Sequence, residues 1–129
     1  MDAPKGKAPT LTISIEGIDD VAVDTILLTA NTGYWSTAKY GRDEYGQVIS
    51  AVFAVNDEDP IGEGYVTREE ITNSINEILS GGMVGSRLYE QILKDTFEWA
   101  KDPDYGPGYD SEVCDIIVQI AVFGEVVFG

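Results

Sequence analysis

Residues 111–123, SEVCDIIVQIAVF, constrain the fold more than any other stretch of the chain. Val113, Ile116, Ile117, Ile120 and Phe123 recur at helical spacing, and Cys114, Val118 and Val122 carry the apolar surface nearly all the way round. Asp115 and Gln119, four residues apart, form the one clear polar stripe. A helix of this kind is stable when other elements enclose it on most sides. Asp110 precedes it, and Gly124 supplies the stop.

The elements that can enclose it are legible from their periods. Thr10 to Glu16 alternates Leu11, Ile13 and Ile15 against polar residues, which predicts a half-buried strand over 10–16. Gly17 breaks it. Asp19 or Asp20 can cap a helix over 20–31, with Asp24 adding charge near its positive end and Gly33 as a left-handed stop. Residues 34–55 read as a β-hairpin, because YWSTAKY and QVISAVFAV flank the polar turn GRDEYG. Tyr34 and Trp35 open that hairpin as core residues. After the acidic loop 56–64, Tyr65 and Val66 can extend a last strand. Thr67 and Glu70 then have capping-box spacing ahead of a helix over 68–80, which Gly81 and Gly82 end. A further helix spans 86–100, with Leu88, Ile92, Leu93, Thr96 and Trp99 on its apolar side and Glu90–Lys94 as an i,i+4 pair. KDPDYGPGYD, at 101–110, cannot continue it. The fold class is therefore α+β: a small antiparallel sheet, made of the hairpin and the N-terminal strand, packed against the helices 20–31, 68–80, 86–100 and 111–123. Residues 1–9 read as a flexible tail and 10–129 as one compact domain, since 129 residues leave no room for two ordinary ones.

The residues that are missing narrow the chemistry. With no histidine and one cysteine, the chain lacks Ser-His and Cys-His nucleophilic arrangements, histidine-ligated zinc, an internal disulfide and, within a monomer, a thiolate zinc site. Cys114, inside an apolar run, reads as a buried structural thiol. Neither the P-loop spacing nor GxGxxG is present. No apolar run approaches the roughly 20 residues that span a bilayer, and the start has no apolar h-region, so the expectation is a cytoplasmic protein with no membrane association. No catalytic residue, metal or cofactor is predicted, and the chain is read as a non-enzyme.

Charge and aromatics point instead to binding. The formal net charge is −15. Residues 1–64 hold 11 acids and 4 bases, and residues 65–129 hold 12 and 4, so the acidity belongs to the whole fold rather than to a tail. Such a surface repels nucleic acid and attracts basic proteins, although it also fits plain solubility. The candidate partner-binding residues are Asp57, Glu58, Asp59 and Glu63 of the acidic loop, with Trp99, Tyr105 and Tyr109 around the Gly-Pro-Gly turn. The two tyrosines either anchor an interface or fold back over the core. A calcium loop starting at Asp57 fails, because Ile61 and Arg68 occupy its fifth and twelfth positions. One starting at Asp102 puts Pro107 at its sixth.

Two segments carry a resemblance. YWS (Tyr34, Trp35, Ser36) and the terminal run of Asp115, Val118, Gln119, Phe123, Gly124, Glu125, Val127, Phe128 and Gly129 resemble small acidic proteins of tailed phages, especially those infecting actinobacteria. Phe128 stands where that group carries tyrosine. The resemblance implies a phage-encoded accessory protein made in a bacterial cytoplasm and assigns no activity to any residue. Three functions fit this reading. The first is an acidic inhibitor or modulator of a basic, nucleic-acid-binding host or defence protein. The second is an oligomer that sequesters a small signalling nucleotide between aromatics and some of Lys39, Arg42, Arg68, Arg87, Lys94 and Lys101. The third is a virion assembly or structural protein. A homo-oligomer is compatible with each.

Overall fold

The computed structural model describes Gly6, residues 13–56 and residues 63–129, except for the side chain of Glu63. The elements run α1 (Asp20–Thr29), β1 (Ser36–Arg42), β2 (Val48–Val55), β3 (Glu63–Val66), α2 (Arg68–Leu79), α3 (Ser86–Lys101), a 3-10 turn (Pro103–Tyr105) and α4 (Ser111–Phe123). Four helices and a three-stranded antiparallel sheet, in the order β1-β2-β3, make this an α+β protein.

The apolar helix is the centre of the molecule. Every residue from Val113 to Ile120 is buried, and α4 packs against α2, α1 and β3. Asp110 caps it by accepting from the Val113 N–H at 2.9 Å, and Gly124 ends it in the left-handed region at φ 78°. Ser74 Oγ of α2 donates to the Ile117 carbonyl at 2.7 Å, so a buried polar atom at this contact is satisfied. At the sheet, the approach is closer still. A Cβ on Gly64 of β3 would lie 2.4 Å from Val122 Cγ1, so only glycine lets β3 and α4 meet there.

Several local expectations give way to longer-range contacts. Residues 13–16 do not join the sheet, although Ile13 and Ile15 are half-buried and Ser14 and Glu16 exposed, as the period of two requires. The Asn76 side chain takes the place of a neighbouring strand: its Oδ1 accepts from Ile15 N at 2.7 Å and its Nδ2 donates to Ile15 O at 2.9 Å. The third strand is β3 instead, with Ala51 opposite Val66 and Phe53 opposite Gly64. Residues 10–12 and most of the 1–9 tail lie outside the described residues.

Helix α1 stops at Thr29, two residues short of the expected 31. Ala30 is extended, and Gly33 is not among the positive-φ glycines. The turn into β1 is made by Thr32, whose carbonyl accepts from the N–H groups of Trp35 and Ser36. Asp19 caps α1 through the Ala22 N–H, whereas Asp24 accepts from Val48 N at 2.7 Å and ties α1 to β2. The capping box of α2 is also not formed. The Thr67 hydroxyl donates to the Glu70 carboxylate, a charge-assisted bond that turns it away from the helix N–H groups. Exposed Glu90 and Lys94 do not close an ion pair. Among the described residues that geometry belongs to Arg68–Asp20, at 2.5 Å.

Candidate functional site

The Gly-Pro-Gly loop sends its two tyrosines in opposite directions. Tyr109 is 5% exposed, and its hydroxyl lies 2.7 Å from Thr96 Oγ1 of α3. Burial raises its pKa to about 12, Asp95 adds to the rise, and the Thr96 hydrogen bond opposes it. Trp99 is half-buried and meets the Tyr109 ring edge-on at 6.2 Å. Both side chains fasten α3 to the start of α4. Tyr105 is 72% exposed at the end of the 3-10 turn, and Gly106 reverses the chain after it at φ 78°. Of the three aromatic candidates, Tyr105 alone is mostly exposed to solvent.

Tyr105 stands at the edge of an open pocket of about 370 Å³ lined by Lys94, Asp95, Glu98, Asp102 and Gly108. Asp95 and Glu98 fall on one face of α3, three residues apart, Asp102 follows as the residue that ends the helix, and all three line the pocket with Tyr105 of the 3-10 turn. The three-residue spacing of Asp95 and Glu98 is the signal that the sequence carries for this cluster. The carboxyl of Asp95 is raised above its ordinary value. Burial is the main cause, and the charges of Asp110 and Glu98 add to it against the opposing effect of Lys94. Asp57, Glu58 and Asp59 lie outside the described residues, and Glu63 opens β3 opposite Ala54.

A second polar cluster is internal. Asp115 of α4, 7% exposed, accepts from Trp35 Nε1 at 2.8 Å, Tyr34 OH at 2.6 Å and Gln119 Nε2 at 3.1 Å. Gln119 in turn accepts from the Val127 and Phe128 N–H groups at 2.9 and 2.8 Å and donates to the Phe128 carbonyl at 3.0 Å. The Phe128 ring stacks on Trp35 at 5.5 Å, with planes 8° apart. Trp35 is core, as expected. Tyr34 is half exposed, with its pKa raised to about 12 by burial first and then by the Asp115 carboxylate.

YWS and the terminal run are therefore one physical unit: a carboxylate and an amide that fasten the last residues over the first strand. The carboxylate's partners hold it in place, which makes it a structural anchor. Cys114 is buried, and its thiol is pushed up to about 12 by burial and then by Asp110, which keeps it protonated near neutrality.

Among the described residues, cations are sparse in two of the concave sites. The pocket beside Tyr105 holds Lys94, another beside Gly17 and Thr67 holds Arg68, and neither gathers a second base. Among the described residues, no group of three acidic or thiol side chains is placed to hold a metal ion, and no helix is long and apolar enough to cross a membrane. The class defined by these features is an α+β protein with a buried central helix and an acidic, tyrosine-edged ridge. No family model, curated protein or solved structure matches the chain.

Proposed function

We propose that this chain acts by binding a basic protein surface through the ridge formed by α3 and the 3-10 turn. The observation that carries the reading is the pairing of an exposed aromatic, Tyr105, with Asp95, Glu98 and Asp102 around one open pocket. Tyrosine offers contact area at small entropic cost, and three carboxylates beside it favour a lysine or arginine side chain. Asp95 is raised first by burial and then by the charges of Asp110 and Glu98, so an incoming cation would offset both the lost solvation and the repulsion. The net charge of −15 would steer such a partner from a distance and repel nucleic acid. The resemblance to small tailed-phage proteins directs the search to basic, nucleic-acid-binding proteins of a bacterial host. Inhibition of such a protein is the biological form this reading takes.

The test is affinity capture from bacterial lysate, followed by titration of the recovered partner. A basic protein should be retained and released by added salt. The triple charge reversal D95K/E98K/D102K should abolish capture, and Tyr105→Ala should weaken binding by about tenfold, the size of one anchoring contact. Recovery of chaperones alone, or binding indifferent to these substitutions, would remove the reading.

A further inference from the structure

Helix α3 is amphipathic but poorly covered. Of its sixteen residues only Ile92 and Thr96 are buried, and Phe97 is 51% exposed. A groove runs between its C-terminal half and residues 13–19. Two adjoining cavities, of about 100 and 420 Å³, share Ser14, Ile15, Thr96 and Ala100. The carboxylates on the segment side of the groove are Glu16 and Asp19.

The opposite rim has the other sign. Successive helical residues turn about 100°, so Lys101 lies about 40° and Lys94 about 60° beyond Phe97, away from the groove floor. Arg87 follows on the same side at seven-residue spacing, and all three are exposed. Glu90 lies within this cationic rim. Elsewhere among the described residues, the bases are Lys39, Arg42 and Arg68. Arg68 is paired with Asp20, and Arg42 donates to the Gly46 carbonyl.

An isologous interface must be self-complementary: what one copy offers, the other must accept under a two-fold rotation. A groove with an apolar floor, one acidic rim and one basic rim meets that condition. A basic peptide would be repelled by the α3 rim, and an acidic one by the Glu16 rim. We therefore infer that this groove is covered by a second copy of the chain, related by a two-fold axis across Phe97, with the Lys94–Lys101 rim of each copy against the Glu16–Asp19 rim of the other. The contact is small and opposed by the net charge of both copies, so the dimer is weak, with a dissociation constant on the order of micromolar. The groove and the ridge around Tyr105 lie on different sides of α3 and share one side chain, Lys94, which lines the Tyr105 pocket and belongs to the basic rim; the substitutions chosen to test the dimer leave it in place.

Sedimentation equilibrium from about 1 µM to about 1 mM chain tests the inference. The wild-type chain should pass from the mass of one chain to that of two. Phe97→Ser, at an exposed position, should weaken self-association by about tenfold, as for an interface anchor. Lys101→Glu should weaken it comparably by placing like charges across the rims, and the charge swap E16K/K101E should restore it. A chain that stays monomeric throughout overturns the proposal. So does a dimer indifferent to Phe97→Ser, or a swap that fails to rescue while circular dichroism shows the variant folded. A monomer that binds a leucine–lysine helical peptide through Phe97 would assign the groove to a foreign partner and equally overturn it.

Discussion

Asp115 shows how one buried carboxylate can organise a chain terminus. Three donors converge on it, and Gln119 relays that order to the backbone of Val127 and Phe128. An unmet buried charge would be costly, whereas one with three donors is held in place and in turn holds the groups around it. Asp115→Asn keeps the shape but replaces one acceptor oxygen with a donor, which then faces the N–H of Trp35 Nε1 or of Gln119 Nε2. The expected loss is about 1–3 kcal/mol, the cost of a stranded buried donor, read as a lower urea midpoint at unchanged slope. An unchanged midpoint would mean that the stacking of Phe128 on Trp35 holds the terminus alone. The sequence marks Asp115 and Gln119 as the polar stripe of an apolar helix, and that much can be read from spacing. Their partners Tyr34 and Trp35 lie 80 or more residues away, and no local period connects them. Tyr105 and Tyr109 teach the same lesson: similar neighbours in sequence, opposite fates in space.

At the level of elements, the helices were legible, and of the third strand Tyr65 and Val66 were, but not its place in the sheet beside β2. Residues 68–79, 86–101 and 111–123 are helical within a residue of their expected ends, because periodicity and glycine stops act locally. Strand β3 is four residues long, too short to show a period, and its place depends on α4. Gly64 makes the dependence testable. Alanine there would drive a Cβ to 2.4 Å from Val122 Cγ1 and 3.1 Å from its Cβ, and valine is stiff about χ1. Gly64→Ala should therefore destabilise the fold by about 1–3 kcal/mol, as overpacking does. Val122→Ala in the same chain should recover most of that loss, because it removes the atoms that clash. A double-mutant cycle by urea denaturation gives the coupling directly; strictly additive losses would show that β3 and α4 are not held against each other at this point. The 13–16 segment erred in the other direction. Its alternation is real, but an amide side chain, Asn76, took up the hydrogen bonds that a strand neighbour would have made.

Over the whole molecule, charge acts on the fold differently near neutrality, on the acid side and on the alkaline side, and the three effects can be separated. The net charge of −15 repels itself in the compact state, so added sodium chloride should raise the midpoint of thermal unfolding near neutrality by screening. A flat response between about 0.05 and 0.5 M salt would show that local pairs already balance the repulsion. Asp95 sharpens the acid side. Its folded form holds its proton more tightly than the unfolded chain does, so its cost is present at neutral pH and is relieved as pH falls through its raised pKa. The alkaline side runs the opposite way. Cys114 rises from 9.0 to about 12, and Tyr34 and Tyr109 from 10.0 to about 12, all three around α4. Each binds its proton more tightly in the folded state, so the stability they contribute is complete below about pH 9 and is lost as pH climbs toward about 12. Urea midpoints should therefore fall steeply across that window. Tyr109→Phe lacks one of the three protons and should start from a lower midpoint, for want of the Thr96 hydrogen bond, yet decline more gently with pH. That gentler slope is the decisive reading, since a merely weakened core would shift the curve without changing its dependence on pH.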